Sequence, residues 1–255
     1  MPPKARVQGL DVTHVREHAD VDSSSEDYAR RFGGPVGRWF LATQTRITLD
    51  ALAGLPPGST VLDVGGGHAQ VAPPLVEAGY RVTVAGSAAA CGRRLVPLTS
   101  TGLCRFDVAD LLRLPYGAGA FDAVVCYRLL AHSVDWARLI GELCRVAARR
   151  VIVDYPSRRS VNIVSWRLFE MKLSIEKGTT RPFALYRPDE IAGAFESAGF
   201  RVAAERPQFL MPMALYRLAG SVHFARAAEW PGRMVGLTRV LGSPVIVRAD
   251  RRPLD

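Results

Sequence analysis

The stretch Val61-Leu-Asp63-Val-Gly65-Gly66-Gly67-His68-Ala69 decides the fold, because it joins a short apolar run to three successive glycines. Residues 60–64 predict a buried strand, and the residues from Ala69 onward predict a helix. Glycines at such a junction permit a tight turn and let a ligand approach the main chain closely. The free N–H groups of a helix N-terminus add hydrogen-bond donors beside the turn. We therefore expect a ligand site where this strand meets this helix.

One acidic residue, Asp63, precedes the glycines and indicates which ligand the turn accepts. In dinucleotide-binding folds a similar turn holds a pyrophosphate at a helix N-terminus. A carboxylate at this place repels a pyrophosphate and attracts a cation, such as the amino group of an amino acid. S-adenosylmethionine carries an amino group and no phosphate, so the residues favour it over NAD. The structural alternative is that Asp63 caps the following turn.

Outward from this stretch, strand-like and helix-like segments alternate, which predicts a parallel sheet with helices on both faces. The strands expected after the first cover residues 79–85, 103–106, 121–127, 151–154, 200–205 and 243–248. The expected helices cover residues 36–52, 69–78, 88–98, 136–147 and 188–198. A turn is expected at Trp230-Pro-Gly232. Right-handed crossovers then limit the topology of the parallel strands.

The glycine stretch resembles motif I of class I S-adenosylmethionine-dependent methyltransferases, of the methyltransferase domain 11 or 25 kind that acts on small molecules. The resemblance runs from about Tyr28 to Arg248. It includes Asp110-Leu-Leu-Arg-Leu-Pro-Tyr116 with Phe121-Asp-Ala-Val-Val125, the segment 126–132, and the closing segment 242–247. It implies an α/β fold with a Rossmann-like, seven-stranded, mostly parallel sheet, helices on both faces and an antiparallel last strand. It also implies methyl transfer to an O, N or C atom of a small, hydrophobic or aromatic acceptor.

The resemblance places the cofactor-binding residues at the carboxyl edge of the predicted sheet. They are Asp63, Gly65, Gly66, Gly67, His68, Gly86, Ser87, Asp110, Leu111, Tyr127 and Arg128. Asp110 would bind the adenine amino group, and Asp107 is the alternative if the register slips. If Asp110 does not bind the cofactor, its expected role is to cap a helix. Arg128 would pair with the cofactor's carboxylate or simply face solvent. His68 would be a backbone neighbour of the cofactor.

The second strand departs from the family pattern, in which an acidic residue at its end grips both ribose hydroxyls. The corresponding residues, Val84-Ala85-Gly86-Ser87, contain no carboxylate, and the next acid is Asp107. The Gly86 backbone and the Ser87 hydroxyl are the expected substitutes. Both are neutral, so their hydrogen bonds are weaker than those of a charged acceptor.

Three residues beyond the fourth and fifth strands are candidates for the chemistry at the acceptor: His132, Asp154 and Tyr155. A histidine titrates near neutrality and suits a general base, although His132 could equally be a packing residue. Asp154 and Tyr155 end the fifth strand, at the edge where α/β proteins bind ligands. A hydroxyl or phenol acceptor would need His132 or Asp154 to take its proton. No metal is expected, because no residues have ligand spacing.

The chain is expected to consist of a flexible N-terminal segment, residues 1–25, and a single methyltransferase domain, residues 26–255. Residues 26–55 would form a helical lid, with ordinary helix packing as the alternative; its candidate side chains are Tyr28, Arg31, Phe32 and Trp39. Residues 156–187, with Phe183 and Tyr186, and residues 208–240 would be insertions on the acceptor side. The apolar run 209–215 would wall an acceptor pocket or touch a membrane surface.

The composition of the chain narrows further the classes of protein to which it could belong. The 255 residues are 48% hydrophobic but contain no apolar run of the length, about 18 residues, that spans a bilayer. No apolar stretch follows the basic start, so a cytoplasmic location is expected. The net charge of +9 comes from dispersed arginines, and nucleic acid is not an expected partner. An NADP-dependent oxidoreductase and a non-catalytic S-adenosylmethionine-binding protein are the alternatives, and the oligomeric state is left open.

Overall fold

A seven-stranded sheet forms the centre of the computed structural model, which describes residues 17–160 and 184–253. Its strands are β1 (Thr60–Val64), β2 (Arg81–Gly86), β3 (Cys104–Val108), β4 (Phe121–Cys126), β5 (Ala147–Tyr155), β6 (Phe200–Phe209) and β7 (Ser243–Arg251). The spatial order is β3-β2-β1-β4-β5-β7-β6. The first five strands are parallel, whereas β7 is antiparallel to both of its neighbours. The predicted Rossmann-like sheet with an antiparallel last strand is confirmed.

Helices cover both faces of the sheet. The described helices are α1 (Ala19–Ser23), α2 (Glu26–Arg30), α3 (Gly34–Leu52), α4 (Ala72–Glu77), α5 (Val96–Thr99), α6 (Trp136–Val146), α7 (Pro188–Ser197), α8 (Met213–Ala219), α9 (Val222–Met234) and α10 (Leu237–Leu241). Two 3₁₀ segments, Ala89–Leu95 and Leu130–His132, add to them. Along β1, Leu62 packs in the same apolar cluster as α6, whereas Val61 packs with α3 and α4. This alternation buries both faces of the strand.

The helix after the glycine turn begins later than the sequence predicts. Ala69 has a left-handed φ of 56°, and α4 starts only at Ala72, so the prediction of a helix from residue 69 is wrong. Pro73 and Pro74 explain the shift, because proline is tolerated in the first turn of a helix and breaks its interior. The extra residues form a loop that holds His68 and Gln70 beside the end of β1.

Two other local predictions are also wrong. Residues 230–232 lie inside α9 rather than in a turn, and the chain turns later, at Gly236, which has a left-handed φ of 76°. A side chain on Gly232 would overlap Leu210, so tertiary packing overrides the turn preference of the Pro-Gly pair. The segment 88–98 forms the 3₁₀ turn 89–95 followed by α5, not one continuous helix.

The N-terminal residues pack on the carboxyl edge of the sheet from Glu17 onward. Ala19 and Asp20 are buried in α1, although the sequence predicts a flexible segment up to residue 25. Residues 1–16 of that segment lie outside the described residues, and so do Phe183 and most of the expected insertion 156–187. Among the described helices, none combines the length and the apolarity needed to cross a bilayer.

Candidate active site

One small cavity at the carboxyl edge of β1 and β4 gathers the first group of predicted site residues. They are Asp63, Gly65, Gly66, His68, Tyr127 and Arg128. Four further residues complete the lining: Ser23, Gln44, Gln70 and Val71. The cavity encloses about 20 Å³, which is room for about one water molecule. Of the added residues, Gln44 leaves a signal in the sequence, as an amide at a buried position of α3 between Phe40 and Ile47.

The carboxylate of Asp63 is buried and lies directly under the glycine turn. A side chain on Gly66 would overlap its Oδ2, so only glycine fits over this carboxylate. Among the described residues, Oδ2 of Asp63 has no hydrogen-bond partner. Burial raises the pKa of Asp63 to about 7, and the nearby positive charge of Arg128 opposes that rise. A buried acceptor without a donor is costly, so this geometry suits a cationic N–H ligand.

The other two glycines serve different purposes. Gly65 has a left-handed φ of 73°, and its N–H donates to the carbonyl of Ala85 at 2.8 Å, which closes the turn against β2. Gly67 does not line the cavity. A side chain there would overlap the carbonyl of Cys91 and lie 2.5 Å from Oγ of Ser24, so Gly67 allows the N-terminal segment to pack closely.

Arg128 supplies the positive charge of the cavity and is held on several sides. It has a left-handed φ of 60°, and its backbone N–H donates to Oδ1 of Asp154 at 2.6 Å. Its guanidinium donates to Oε1 of Gln44 at 2.5 Å and to Oε1 of Gln70, and lies 4.2 Å from the ring centre of Phe32. The guanidinium therefore lines the same cavity as Asp63 in a fixed orientation.

His68 packs between two aromatic side chains of the N-terminal region. Its ring centre lies 5.7 Å from that of Tyr28 and 5.8 Å from that of Phe32, both edge-on. Burial, with the charge of Arg128, lowers the pKa of His68 to about 4. The imidazole is therefore neutral at pH 7. Tyr28 and Phe32 therefore pack against the glycine turn through His68.

The other two lid candidates lie elsewhere. The guanidinium of Arg31 sits 5.4 Å from the ring centre of Tyr28. Trp39 packs edge-on against Phe209 and Tyr216, with ring centres 4.9 and 5.7 Å away. Trp39 therefore belongs with Phe209 and Tyr216 in an apolar cluster.

An aromatic cluster lies next to the cavity, between α3, the end of β6 and α8. It comprises Phe32, Val36, Phe40, Phe209, Tyr216 and Ala225, with Trp39, Met211 and Met213 packed against it. Phe32 belongs to this cluster and also contacts His68 and Arg128. The cluster therefore adjoins the cavity through one side chain.

The residues expected near adenine and ribose have structural partners. Oδ1 of Asp110 accepts from the backbone N–H of Leu112 at 3.0 Å, and Leu111 is fully buried in the core. The alternative acid, Asp107, binds Arg105 and accepts from the Tyr116 hydroxyl at 2.8 Å. Through this hydrogen bond Asp110 caps a turn, and no described helix begins there.

At the end of β2 lies Asp20, which the sequence analysis does not single out. The N–H and the hydroxyl of Ser87 both donate to the carboxylate of Asp20, at 2.7 and 2.5 Å. Gly86 packs so closely that a side chain there would lie 3.0 Å from the ring of Phe106. No spacing rule links Asp20 in the polar N-terminal segment to Ser87.

The three predicted catalytic residues do not converge on the cavity. Asp154 is buried behind Arg128, and burial raises its pKa while the hydrogen bond from the Arg128 N–H lowers it. Tyr155 is fully buried on the opposite face of β5, and its hydroxyl lies 3.4 Å from Oε1 of Glu205. His132 ends the 3₁₀ turn after β4 and is half-buried.

The chain resembles known methyltransferases in sequence and in fold. Residues 40–205 match the family model described as a methyltransferase domain. No curated protein matches the chain. The solved structures that resemble it include magnesium protoporphyrin IX methyltransferase from Synechocystis PCC 6803 with bound S-adenosylhomocysteine, at 19% identity and a TM-score of 0.63, covering 91% of this chain and 98% of that one.

Two further structures have the same fold. Geranyl diphosphate C-methyltransferase from Streptomyces coelicolor has 20% identity and a TM-score of 0.57, covering 83% of this chain and 79% of that one. A methyltransferase from Methanosarcina mazei has 16% identity and a TM-score of 0.56, covering 80% and 96% of the two chains. The family match covers well over half of the residues, so the chain belongs to the methyltransferase-domain family, whose members use S-adenosylmethionine.

Proposed function

We propose that the chain transfers a methyl group from S-adenosylmethionine to an O, N or C atom of a small, apolar or aromatic acceptor. The observation that carries the proposal is the pairing of opposite charges on one cavity wall. Asp63 offers a buried oxygen to which no described residue donates, and Arg128 offers a guanidinium fixed by Gln44 and Gln70. An amino acid zwitterion complements such a pair, because its ammonium meets the carboxylate and its carboxylate meets the guanidinium.

The residues of the glycine turn fit the cofactor. Gly65 and Gly66 leave the main chain open above Asp63, and Asp63 would hold the amino group while Arg128 would hold the carboxylate. When bound, the cofactor supplies a methyl group on a positively charged sulfur, which is a strong electrophile. The cavity of about 20 Å³ is far smaller than a nucleoside, and Ser23 of α1 is part of its lining, so the proposal requires α1 to move outward when the cofactor enters.

The aromatic cluster supports an apolar acceptor. It adjoins the cofactor cavity through Phe32, and Phe40, Phe209 and Tyr216 continue it away from the sheet. A wall of this kind binds a flat or apolar molecule and excludes water, which leaves the enzyme chiefly the task of holding acceptor and donor in line. Two of the structurally similar proteins are named for porphyrin and geranyl diphosphate acceptors.

The proposed roles of the three catalytic candidates differ. Asp154 acts as a positioning residue, because its Oδ1 accepts from the N–H of Arg128 and so stabilises the left-handed backbone there. His132 is the candidate base for an acceptor whose hydroxyl must lose a proton, since it follows β4 on the cofactor side. Tyr155 lies on the opposite face of β5, with its hydroxyl beside the exposed Glu205, and takes no part in the transfer.

A methyl-transfer assay with fractionated products tests the proposal. The protein would be incubated with S-adenosylmethionine labelled in its methyl group and a deproteinised metabolite extract. We expect label in small, organic-soluble molecules, and no label with the Asp63→Asn variant. Label found in protein or nucleic acid instead would contradict the acceptor class. No transfer to any fraction by a wild type that binds S-adenosylhomocysteine would favour a non-catalytic binding protein.

A further inference from the structure

Strand β2 ends without an acidic residue of its own, but a carboxylate from another element lies there. Asp20 of α1 is fully buried and accepts hydrogen bonds from both the N–H and the hydroxyl of Ser87, at 2.7 and 2.5 Å. The two residues are far apart in sequence and meet only because α1 packs on the carboxyl edge of the sheet.

Asp20 also lies against the glycine turn. A Cβ built on Gly65 would lie 3.5 Å from the Cβ of Asp20. Gly65 follows β1, and its N–H binds the carbonyl of Ala85 in β2. Asp20 therefore lies in the crevice between the ends of two neighbouring parallel strands, where open α/β sheets bind their ligands.

The chemistry of Asp20 suits a polar ligand rather than simple packing. Burying a carboxylate is costly unless several hydrogen bonds compensate for lost hydration. A carboxylate has about four acceptor positions, so the two donors of Ser87 leave capacity for more. Two neighbouring hydroxyls on one sugar ring offer two donors that one carboxylate can accept together. In the same helix, Asp22 is exposed and Asp20 alone turns into the crevice.

We propose that Asp20 is the ribose ligand of this chain: its carboxylate accepts from the two ribose hydroxyls of the cofactor, in place of the acid that β2 lacks. The inference rests on the proposed function, because it takes the ligand to be S-adenosylmethionine or its product. It makes α1 part of the cofactor site. The same carboxylate then has two partners, since it holds α1 to Ser87 and meets the ribose.

Calorimetric titration of the full-length protein with two probes tests the inference. The probes are S-adenosylhomocysteine and its 2′,3′-dideoxy analogue, which lacks the hydroxyls. We expect Asp20→Asn to bind S-adenosylhomocysteine at least about tenfold more weakly than the wild type, since hydrogen bonds to a charged group are among the stronger ones. The variant and the wild type should bind the dideoxy analogue equally. The control variant Asp22→Asn, on the same helix, should bind both probes as the wild type does.

Several results would overturn the inference. Equal or tighter binding of S-adenosylhomocysteine by Asp20→Asn would mean that Asp20 is not a ligand, and equal losses for both probes would mean that it acts only through the fold. If Asp20→Asn does not fold, a crystal structure of the wild type with S-adenosylhomocysteine decides the matter. It must place the Asp20 carboxylate within hydrogen-bond distance of the ribose hydroxyls. A folded wild type that binds neither probe would refute the proposed function itself, which is a different result.

Discussion

Gly66 covers the buried carboxylate of Asp63 so closely that a single added methyl group would overlap Oδ2. Asp63 cannot move aside, because it lies within β1 and its backbone pairs with Val84 and Val125. The two residues therefore form one unit, in which the absence of a side chain at Gly66 leaves the acid open to a ligand.

Gly66→Ala should accordingly damage the site. We expect a loss of folding stability of about 1–3 kcal/mol from the overlap, and an affinity for S-adenosylhomocysteine reduced at least about tenfold. Urea unfolding and calorimetry measure the two effects. The matched control is Gly141→Ala in α6, where a Cβ meets nothing within 4 Å, so stability should stay unchanged or rise by about 0.5–1 kcal/mol. A Gly66→Ala variant with wild-type affinity would contradict the assignment.

The raised pKa of Asp63 predicts how the stability of the ligand-free protein depends on pH. Burial raises this pKa from 3.8 to about 7, so between these values the folded chain keeps a proton that the unfolded chain has released. The contribution of Asp63 to stability is therefore full below pH 4 and is lost as the pH rises to 7. Asp63→Asn lacks this contribution.

Urea unfolding of both proteins at pH 5 and pH 8 measures the effect. The stability of the wild type relative to Asp63→Asn should be higher at pH 5 than at pH 8. Other groups, His68 among them, titrate in both proteins and largely cancel in this difference. A difference that is the same at the two pH values would show that Asp63 does not titrate between them.

Two substitutions at Asp154 test whether this residue acts by accepting a hydrogen bond or by transferring a proton. In Asp154→Asn the side-chain oxygen can still accept from the N–H of Arg128, whereas Asp154→Ala removes the acceptor and frees the left-handed backbone. We expect the alanine variant to bind S-adenosylhomocysteine about tenfold more weakly and the asparagine variant less than about threefold more weakly, matching the loss of one buried hydrogen bond. Equal losses in the two variants would mean that the charge of Asp154 matters more than its geometry.

Glu229 should support the aromatic cluster without touching the cofactor. Its Oε1 accepts from the N–H of Leu210 at 2.7 Å and from the hydroxyl of Tyr216, in a fully buried position. Glu229→Ala leaves these donors unpaired, so urea unfolding should show a loss of about 2–4 kcal/mol. The exposed Glu196→Ala in α7 should change stability by less than about 0.5 kcal/mol. A loss below about 1 kcal/mol for Glu229→Ala would contradict the proposed support.

The sequence predicts the sheet and the glycine turn well because their signals are local. A short window of sequence is enough to see an apolar run of strand length and the glycines that follow it. Asp63, Gly65 and Gly66 follow from that pattern and Arg128 follows from the resemblance, and the structure places all four on one cavity. Successive residues of a strand point to opposite faces, so Tyr155 lies on the other face of β5 from Asp154, and of the two only Asp154 contacts Arg128.

The rest of the site depends on contacts between distant segments. Asp20 meets Ser87, and Gln44 and Gln70 meet Arg128, only after α1, α3 and the loop before α4 have packed on the sheet. No spacing in the sequence encodes such meetings. The late start of α4 has a different, local origin, since Pro73 and Pro74 delay the helix and leave Gln70 free to reach Arg128.

Binding of S-adenosylhomocysteine at pH 6 and pH 8, by the wild type and by Asp63→Asn, tests most directly whether the Asp63 carboxylate receives the cofactor's amino group. If the ligand binds the ionised carboxylate, whose pKa is about 7 in the free protein, wild-type affinity should rise about tenfold from pH 6 to pH 8. Asp63→Asn should bind at least about tenfold more weakly than the wild type at pH 8, with no such rise. Affinity and pH dependence that are the same in both proteins would contradict the account.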